Sequence, residues 1–382
     1  MRNNLINNEK ELEITIIKYI SNNAKKIAEQ LEKKKEEING PRVLKQQVKN
    51  VFFDVLNELQ LNITDVDGNI YFFNSLYWMP VPRQSLFNVT KTIIFTFFYN
   101  EFNNYQSDGR LVNTIVSMIE EATPNRILRE PDSTYINMLD GVWDVVRKQR
   151  ISRSSDRYFF SYCLPYYGKN VFNDTQPKCP NFNKFLDDVC FEDDKSEQYI
   201  ENKKHILLSF MCYSILNYSV NLEKALILYG TGANGKSTFI NIWQKLIGES
   251  SYSVSNVLGQ DNYNSFLIRM EGKLVNFSSE SSFKGKENAN LLKSLISKEP
   301  HEARDLYEKT RLVKKIPLLV FSTNSKISFS EDTAAIQRRF VVVEFTNRFD
   351  CSIDIIKTID GEYEDIFKLV LSYANQLLSK GY

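Results

Sequence analysis

The clearest chemical signal in the chain is an eight-residue stretch that fits GxxxxGKS/T at every fixed position: Gly230, Thr231, Gly232, Ala233, Asn234, Gly235, Lys236 and Ser237. Glycines in such a loop let backbone N–H groups turn inward around phosphates, where a larger side chain would block the approach. Lys236 would reach the β- and γ-phosphates of ATP, Ser237 would hold Mg²⁺, and Thr238 follows directly. The spacing therefore predicts a binding loop for ATP and Mg²⁺.

The residues on both sides of this loop have the patterns of a strand and a helix. Ala225–Tyr229 is a short apolar run of the kind that forms a buried strand. After Lys236, apolar residues recur at helical spacing until Gly248, which supplies a stop signal. Residue frequencies alone give the bare motif roughly a one-percent chance of arising by accident in such a chain. The flanks lower that chance, because strand, loop and helix occur in the order that a phosphate-binding loop requires.

Two further predicted strands end on polar residues that such a site needs. Residues 272–280 read as a strand ending on Glu280, and a carboxylate there would orient Mg²⁺ and polarise the attacking water. Residues 316–321 form another apolar run, and Asn324 follows it, where an amide can hydrogen-bond the γ-phosphate or the water. Taken singly, a carboxylate after a strand is common and an Asn there usually caps a turn. Their order after the loop favours the catalytic interpretation.

A pair of arginines, Arg338 and Arg339, stands just before the last predicted strand, residues 341–345. Paired arginines usually make surface salt bridges. In an oligomeric nucleotide hydrolase, a guanidinium at this point can instead reach the γ-phosphate of the neighbouring subunit as an arginine finger.

Composition limits the remaining classes of function. The 382 residues give room for two or three domains. A formal net charge of +1 excludes a global basic field, so any contact with DNA must be local. Five cysteines without a CxxC pair and only two histidines argue against zinc and are typical of reduced thiols. The most apolar early run, residues 92–99, is too short to span a bilayer, so we expect a cytoplasmic protein without membrane contact.

Hydrophobic periodicity divides the chain into four parts. Residues 1–130 are predicted to be mainly helical, and their sequence indicates no function. Asp67-Gly68 predicts a hairpin turn within them. The helices predicted there cover residues 9–38, 44–60, 88–104 and 111–122. Residues 131–200 read as a small α+β domain, residues 201–350 as an α/β core that begins with a helical collar, and residues 351–382 as a helical segment.

Three stretches together resemble a known family: ALILYGTGANGKSTF, LVNFSSE, and PLLVFSTN with AIQRRFVVVEF. They look like the superfamily 3 helicases, in the branch of phage, plasmid and poxvirus primase-helicases. The upstream stretches INMLDGVWDV, FSYCLPYYG and CPNFNKFLDDV resemble the domain that precedes the ATPase in that branch. The similarity covers roughly residues 135–350 and keeps the motifs in order.

The resemblance implies an AAA+-like α/β P-loop ATPase with a parallel sheet, assembled as a homo-oligomer, a hexameric ring. Such a ring hydrolyses ATP to move on single-stranded or forked DNA, usually 3′ to 5′. It would act in the replication of a phage, plasmid or other mobile element in the bacterial host cytoplasm, with a replication loader or initiator protein as a partner.

The resemblance also implies roles for single residues. It assigns Lys236 and Ser237 to motif A, Glu280 to motif B and Asn324 to motif C, and it ranks Arg339 before Arg338 as the finger. Within LLKSLISKEPHEARDLYEK, Lys293 would lie near the phosphates, and a hairpin with Tyr307 and Lys309 at its tip would follow DNA together with Arg311. Alternatively, these cations form a solvent-exposed surface, and nearby carboxylates balance their positive charge.

The sequence departs from the family at two places. Ser279 stands before Glu280 where many relatives carry a second acid, and the usual glycine-acid pair of the intermediate motif reads Ser297-Lys298-Glu299. The departures place the hairpin assignment in question. Upstream of residue 135 no acidic triad for a primase is found, so we expect the helicase part without a primase domain.

Two other functions share the P-loop. The first is a regulatory or assembly switch, an ATPase that acts on a protein partner without unwinding DNA; the low net charge suits it. The second is a small-molecule kinase, which the Asn324 strand and the QRRF element disfavour because both match a ring ATPase.

Overall fold

In the computed structural model, the described residues are 8–33, 40–104, 109–126, 128–132, 134–154, 156–173, 175–216, 220–257, 265–278, 287–304, 310–325, 337–349 and 354–380. The chain divides into two compact units, Met1–Arg129 with Asp156–Phe159, and Glu130–Ser155 with Phe160–Tyr382. The finer four-part division expected from the sequence stays a prediction.

In the part of the chain that the structure describes, the first unit combines six helices with a three-stranded antiparallel sheet. Its helices are α1 (Glu9–Asn22), α2 (Ala24–Lys33), α3 (Pro41–Glu58), α4 (Arg83–Phe97), α5 (Tyr99–Asn104) and α6 (Gly109–Ala122). Its strands, in the order β1-β2-β3, are β1 (Asn62–Val66), β2 (Asn69–Phe73) and β3 (Trp78–Pro80). One buried apolar cluster, drawn from the helices and from all three strands, forms its core.

Two features of this unit test the sequence analysis. The helix predicted over residues 9–38 is interrupted at Asn23, whose backbone leaves the helical region at φ −114° and ψ 14° and whose side-chain amide donates to the carbonyl oxygen of Tyr19. Residues 34–39 of that prediction lie outside the described residues. The hairpin at Asp67-Gly68 is confirmed: both residues have positive φ, 53° and 79°, as a tight two-residue turn requires.

As far as its residues are described, the second unit begins with a small antiparallel sheet and three helices. The strands are β4 (Tyr135–Met138), β5 (Gly141–Asp144) and β6 (Gln149–Ser152), and the helices are α7 (Gly168–Val171), α8 (Pro180–Cys190) and α9 (Glu197–Ile215). Helices α8 and α9 pack against each other and lead directly into the large sheet.

A five-stranded parallel sheet forms the centre of the second unit, with the strand order β13-β7-β12-β9-β8. Its strands are β7 (Ala225–Tyr229), β8 (Tyr252–Val254), β9 (Val275–Ser278), β12 (Leu318–Thr323) and β13 (Phe340–Glu344). The helices between them are α10 (Lys236–Ile247), α11 (Ser265–Met270) and α12 (Glu287–Ile296). The predicted α/β class with a parallel sheet is thus confirmed, whereas β8, only three residues long, was not predicted.

The remaining elements are a hairpin and a C-terminal helical segment. The hairpin pairs β10 (His301–Ala303) with β11 (Arg311–Val313). The helices after the sheet are α13 (Ile355–Thr358), α14 (Tyr363–Leu371) and α15 (Ala374–Lys380). Among the described residues, no helix is both long enough and apolar enough to cross a bilayer.

The two faces of the sheet carry different helices. Trp243 of α10 packs against Phe277 of β9, with 5.4 Å between the ring centroids. Side chains of the opposite face join the buried residues of α11 and α12 in one cluster that includes Ile227 and Phe321. Since side chains alternate along a strand, this arrangement buries both faces of β7 and makes it a central strand.

Candidate functional site

The glycine-rich loop joins the carboxyl end of β7 to the first turn of α10. Three of its residues have left-handed or otherwise positive φ values: Gly232 at 109°, Ala233 at 50° and Gly235 at 86°. A chain in this conformation turns successive backbone N–H groups towards one concave side, and the amino end of α10 adds its positive dipole there. The local geometry is that of an anion-binding loop.

Lys236 lies buried beneath this loop, with 5% of its surface exposed. Its ammonium donates hydrogen bonds to the carbonyl oxygen of Gly230 at 2.7 Å and to Oδ1 of Asn234 at 2.8 Å. Burial lowers the pKa of Lys236. A cation held under a loop by two neutral acceptors is placed to exchange them for the stronger bonds that a phosphate offers.

Asn234 connects the loop to the segment that follows β13. Its Nδ2 atom donates to the carbonyl oxygen of Phe345 at 2.9 Å. Further along, the N–H of Phe349 donates to the carbonyl oxygen of Ala233 at 2.8 Å. The loop is therefore fixed on one side by residues 345–349.

Two glycines of the motif are required by space, and one of them, Gly235, also by its positive φ. A Cβ atom added at Gly230 would overlap the side chain of Asn234 and the carbonyl oxygen of Phe345. At Gly235 an added Cβ would lie 2.8 Å from Cγ1 of Val189 in α8. Helix α8 thus packs directly against the loop, a role that its amphipathic pattern alone did not reveal.

Helix α8 is itself fixed at both ends. The buried carboxylate of Glu362 accepts hydrogen bonds from the backbone N–H groups of Asn181 and Phe182, at 3.1 and 2.9 Å, in the first turn. At the other end, Nδ2 of Asn347 donates to the carbonyl oxygens of Asp188 and Phe191. The wall behind the loop is therefore supported from two later parts of the chain.

The loop lies where the connections of the sheet diverge. The chain leaving β7 continues to β8 on one side of the sheet, whereas the chain leaving β12 continues to β13 on the other side of β7. In open α/β sheets, ligands bind outside the carboxyl ends of the strands at such a switch point. The site predicted from the motif is thus also the site that the topology favours.

Asn324 lies at the same edge of the sheet as the loop. It is exposed and directly follows β12, whose last residue, Thr323, accepts a hydrogen bond from the N–H of Gly230 at 3.2 Å. The tip of β12 therefore adjoins the start of the loop. Ser237 and Thr231 are exposed, and Thr238 is partly buried.

Two other residues predicted at the phosphates are Glu280 and Lys293. Glu280 lies outside the described residues, two positions after β9, which ends at Ser278 on the same edge as β12. Lys293 is exposed on α12, a helix that packs on the sheet face opposite α10. Their roles at the phosphates stay predictions.

The two arginines before β13 lie in contrasting environments. Arg339 is 5% exposed, pairs with Glu223 at 2.9 Å and donates to Oγ of Ser297 at 3.1 Å. Its carbonyl oxygen accepts from the N–H of Ala225, so it lies at the amino end of β7, roughly 16 Å from the loop along the strand. Arg338 is exposed.

The hairpin expected from the intermediate motif is present as β10 and β11. Its tip, with Tyr307 and Lys309, lies outside the described residues. Arg311 forms an ion pair with Glu271, and 18% of its side chain is exposed. Its contact with DNA stays a prediction, but its described role is to fix the base of the hairpin.

Comparisons with known proteins agree with this fold. Residues 228–339 match the model of a family of unknown function, DUF5906, over less than half of the chain. The chain matches no curated protein sequence. It is similar to the apo structure of the NrS-1 C-terminal region (305–718), with a TM-score of 0.51, 16% identity, and coverage of 86% of this chain and 70% of that one. The A-form apo structure of the same region gives a TM-score of 0.50 and 16% identity, covering 86% and 73%. At this identity the likeness concerns the fold alone.

Proposed function

We propose that this chain is an ATP-dependent DNA helicase or translocase with an AAA+-like P-loop core, acting in the replication of a phage, plasmid or other mobile element. One observation carries the ATPase part: a GTGANGKS loop with a buried lysine, at the carboxyl end of β7 where the sheet connections diverge. The rest comes from the resemblance of the motifs to superfamily 3 helicases, which also suggests a hexameric ring on single-stranded or forked DNA.

The residues of the site would divide the chemistry among them. The N–H groups of the loop and the ammonium of Lys236 would bind the phosphates of ATP, and Ser237 would hold Mg²⁺ together with Glu280. Glu280 would also polarise the attacking water, while Asn324 would hydrogen-bond that water or the γ-phosphate. The fit of the site to a nucleotide rests on the positive φ values of Gly232, Ala233 and Gly235, which turn successive N–H groups of the loop towards one side.

The exposed position of Arg338 supports it as the finger that reaches a neighbouring subunit, because a guanidinium must leave its own surface to do so. Arg339, the first candidate by sequence, would have to break its contacts with Glu223 and Ser297. Movement along DNA would use the hairpin of β10 and β11, with Tyr307 and Lys309 contacting the strand.

The experiment that tests this function measures ATP hydrolysis with and without single-stranded DNA. Lys236→Ala should abolish turnover, while Lys245→Ala, an exposed lysine on the same helix, should retain it. Stimulation by DNA, together with displacement of a strand from a forked duplex, would support the helicase.

A second candidate is a P-loop ATPase that switches a protein partner, and the net charge of +1 favours it. Turnover that depends on Lys236 but is indifferent to DNA would support this switch and contradict the helicase. Absence of both nucleotide binding and turnover would contradict both candidates.

A further inference from the structure

The segment that follows β13, residues 345–349, runs beside the glycine-rich loop and is held there by three hydrogen bonds. The N–H of Phe345 donates to the carbonyl oxygen of Tyr229 at 2.8 Å, and its own carbonyl oxygen accepts from Asn234. The N–H of Phe349 donates to the carbonyl oxygen of Ala233. The backbone of this segment is therefore fixed relative to the phosphate-binding residues at two points.

The side chains of the segment alternate between buried and exposed. Phe345 is buried, whereas Asn347 and Phe349 are partly buried, Asn347 against the end of α8 and Phe349 beneath Gly235. Thr346 and Arg348 are exposed between them. Arg348 thus lies between two anchored residues, one of them bonded directly to the loop.

Arg348 makes no ion pair or hydrogen bond with any side chain that the structure describes. A permanently charged, planar donor group at the rim of a phosphate-binding loop matches the geometry of phosphate oxygens, which guanidinium groups bind in bidentate fashion. Since no described carboxylate is paired with the guanidinium of Arg348, its charge is available to attract a polyanion bound in the loop.

We propose that Arg348 binds the phosphate chain of the nucleoside triphosphate held by the loop of its own subunit. This inference rests on the proposed nucleotide-binding function and adds a residue that the motifs did not indicate. Arg348 would act in cis, because the next residue, Phe349, is bonded through its backbone N–H to Ala233 in the loop of the same chain. It differs in this from Arg338, which lies at the opposite edge of the sheet, next to the amino end of β7.

The proposal predicts a loss of nucleotide affinity on removal of the guanidinium. Arg348→Ala should raise the dissociation constant for a fluorescent ATP analogue about tenfold or more, the effect expected of a charge-assisted hydrogen bond. Arg348→Lys should retain part of the affinity, because it keeps the charge and loses the bidentate geometry. Arg150→Ala, an exposed arginine of β6, is the matched control and should bind like the wild type.

The other outcomes separate this inference from the function on which it rests. If the wild type binds the analogue, Lys236→Ala does not, and Arg348→Ala binds normally, the inference is wrong and nucleotide binding stands. If the wild type does not bind, the proposed function itself fails. Circular dichroism and thermal unfolding check that each variant is folded.

A mixing experiment tests whether Arg348 acts in cis. Mixtures of Arg348→Ala and Lys236→Ala chains should show no more turnover than Arg348→Ala alone. If the Lys236→Ala chain, which keeps its arginine, restores turnover to the Arg348→Ala chain, the residue acts on a neighbouring subunit and the cis assignment is wrong.

Discussion

The ammonium of Lys236 donates a hydrogen bond to Oδ1 of Asn234 at 2.8 Å, and the amide of that same side chain donates to the carbonyl oxygen of Phe345. One asparagine thus links the lysine of the loop to the segment after β13. A phosphate that binds Lys236 would replace Asn234 as its acceptor, so occupancy of the loop would be transmitted to residues 345–349.

The first prediction contrasts two asparagines of the site. Asn234→Ala should lower the free energy of unfolding by about 1–3 kcal/mol, because it removes a buried donor and a buried acceptor and leaves the carbonyl oxygen of Phe345 without that donor. Asn324→Ala should leave stability within about 0.5 kcal/mol, since the side chain is exposed, and should lower turnover. Urea denaturation and phosphate release measure the two effects. Equal stability of both variants would contradict the role given to Asn234.

The second prediction contrasts two glycines of the loop. Gly232→Ala meets no atom within 4 Å and should cost only the strain of its φ value, about 1–2 kcal/mol. Gly235→Ala adds a close contact with Val189 to a similar strain and should destabilise the chain further, with a larger loss of nucleotide affinity. Thermal unfolding and binding of an ATP analogue test the order of the two. The reverse order would mean that α8 is not packed against the loop as described.

The third prediction separates the two arginines before β13. Arg339→Ala should lower the free energy of unfolding by about 1–3 kcal/mol, because it leaves Ser297 and the half-exposed Glu223 without their partner. Arg338→Ala should not affect stability but should impair hydrolysis when mixed with wild-type chains, as a finger acting between subunits would. If Arg338→Ala hydrolyses ATP normally while a folded Arg339→Lys does not, the ranking by sequence would be correct.

The fourth prediction concerns pH. Lys298 has a positive φ of 59°, its ammonium lies 5.4 Å from the centroid of the Tyr213 ring, and burial lowers its pKa from 10.5 to about 7. Between these two pH values the unfolded chain binds more protons than the folded one, so the contribution of this residue to stability rises with pH from about 7 to 10.5 and is flat below pH 7.

Lys298→Met keeps the apolar stem over the ring and removes the titration. The variant should therefore exceed the wild type in stability most at pH 6–7 and progressively less as the pH approaches 10. Urea denaturation at a series of pH values measures this difference. A difference that does not change with pH would show that Lys298 titrates normally in the folded chain.

The fifth prediction distinguishes the base of the hairpin from its tip. Arg311→Ala should destabilise the chain by about 1–3 kcal/mol, because it leaves the largely buried carboxylate of Glu271 without its cation. Lys309→Ala should leave stability unchanged and should reduce the stimulation of ATP hydrolysis by single-stranded DNA, with a weaker dependence on salt. If Lys309→Ala is stimulated like the wild type, the hairpin tip does not contact DNA.

Much of the α/β core follows from the sequence. The loop motif, the apolar run before it and the helical spacing after it determine a strand, a turn and a helix, because glycine conformation and side-chain periodicity are local properties. Asn324 could be placed after a strand for the same reason. The hairpin turn at Asp67-Gly68 could also be predicted from the sequence, because an Asp-Gly pair favours a two-residue hairpin turn in which both residues have positive φ.

Tertiary structure decided which of these residues come together. The sequence ranked Arg339 first, yet packing buries it against Glu223 and Ser297 and exposes its neighbour Arg338, because adjacent residues at the start of a strand face opposite sides. The short strand β8, the support of the loop by α8 and the position of Arg348 depend on contacts between residues far apart in the chain. Such contacts leave no periodic pattern, so only the folded chain reveals them.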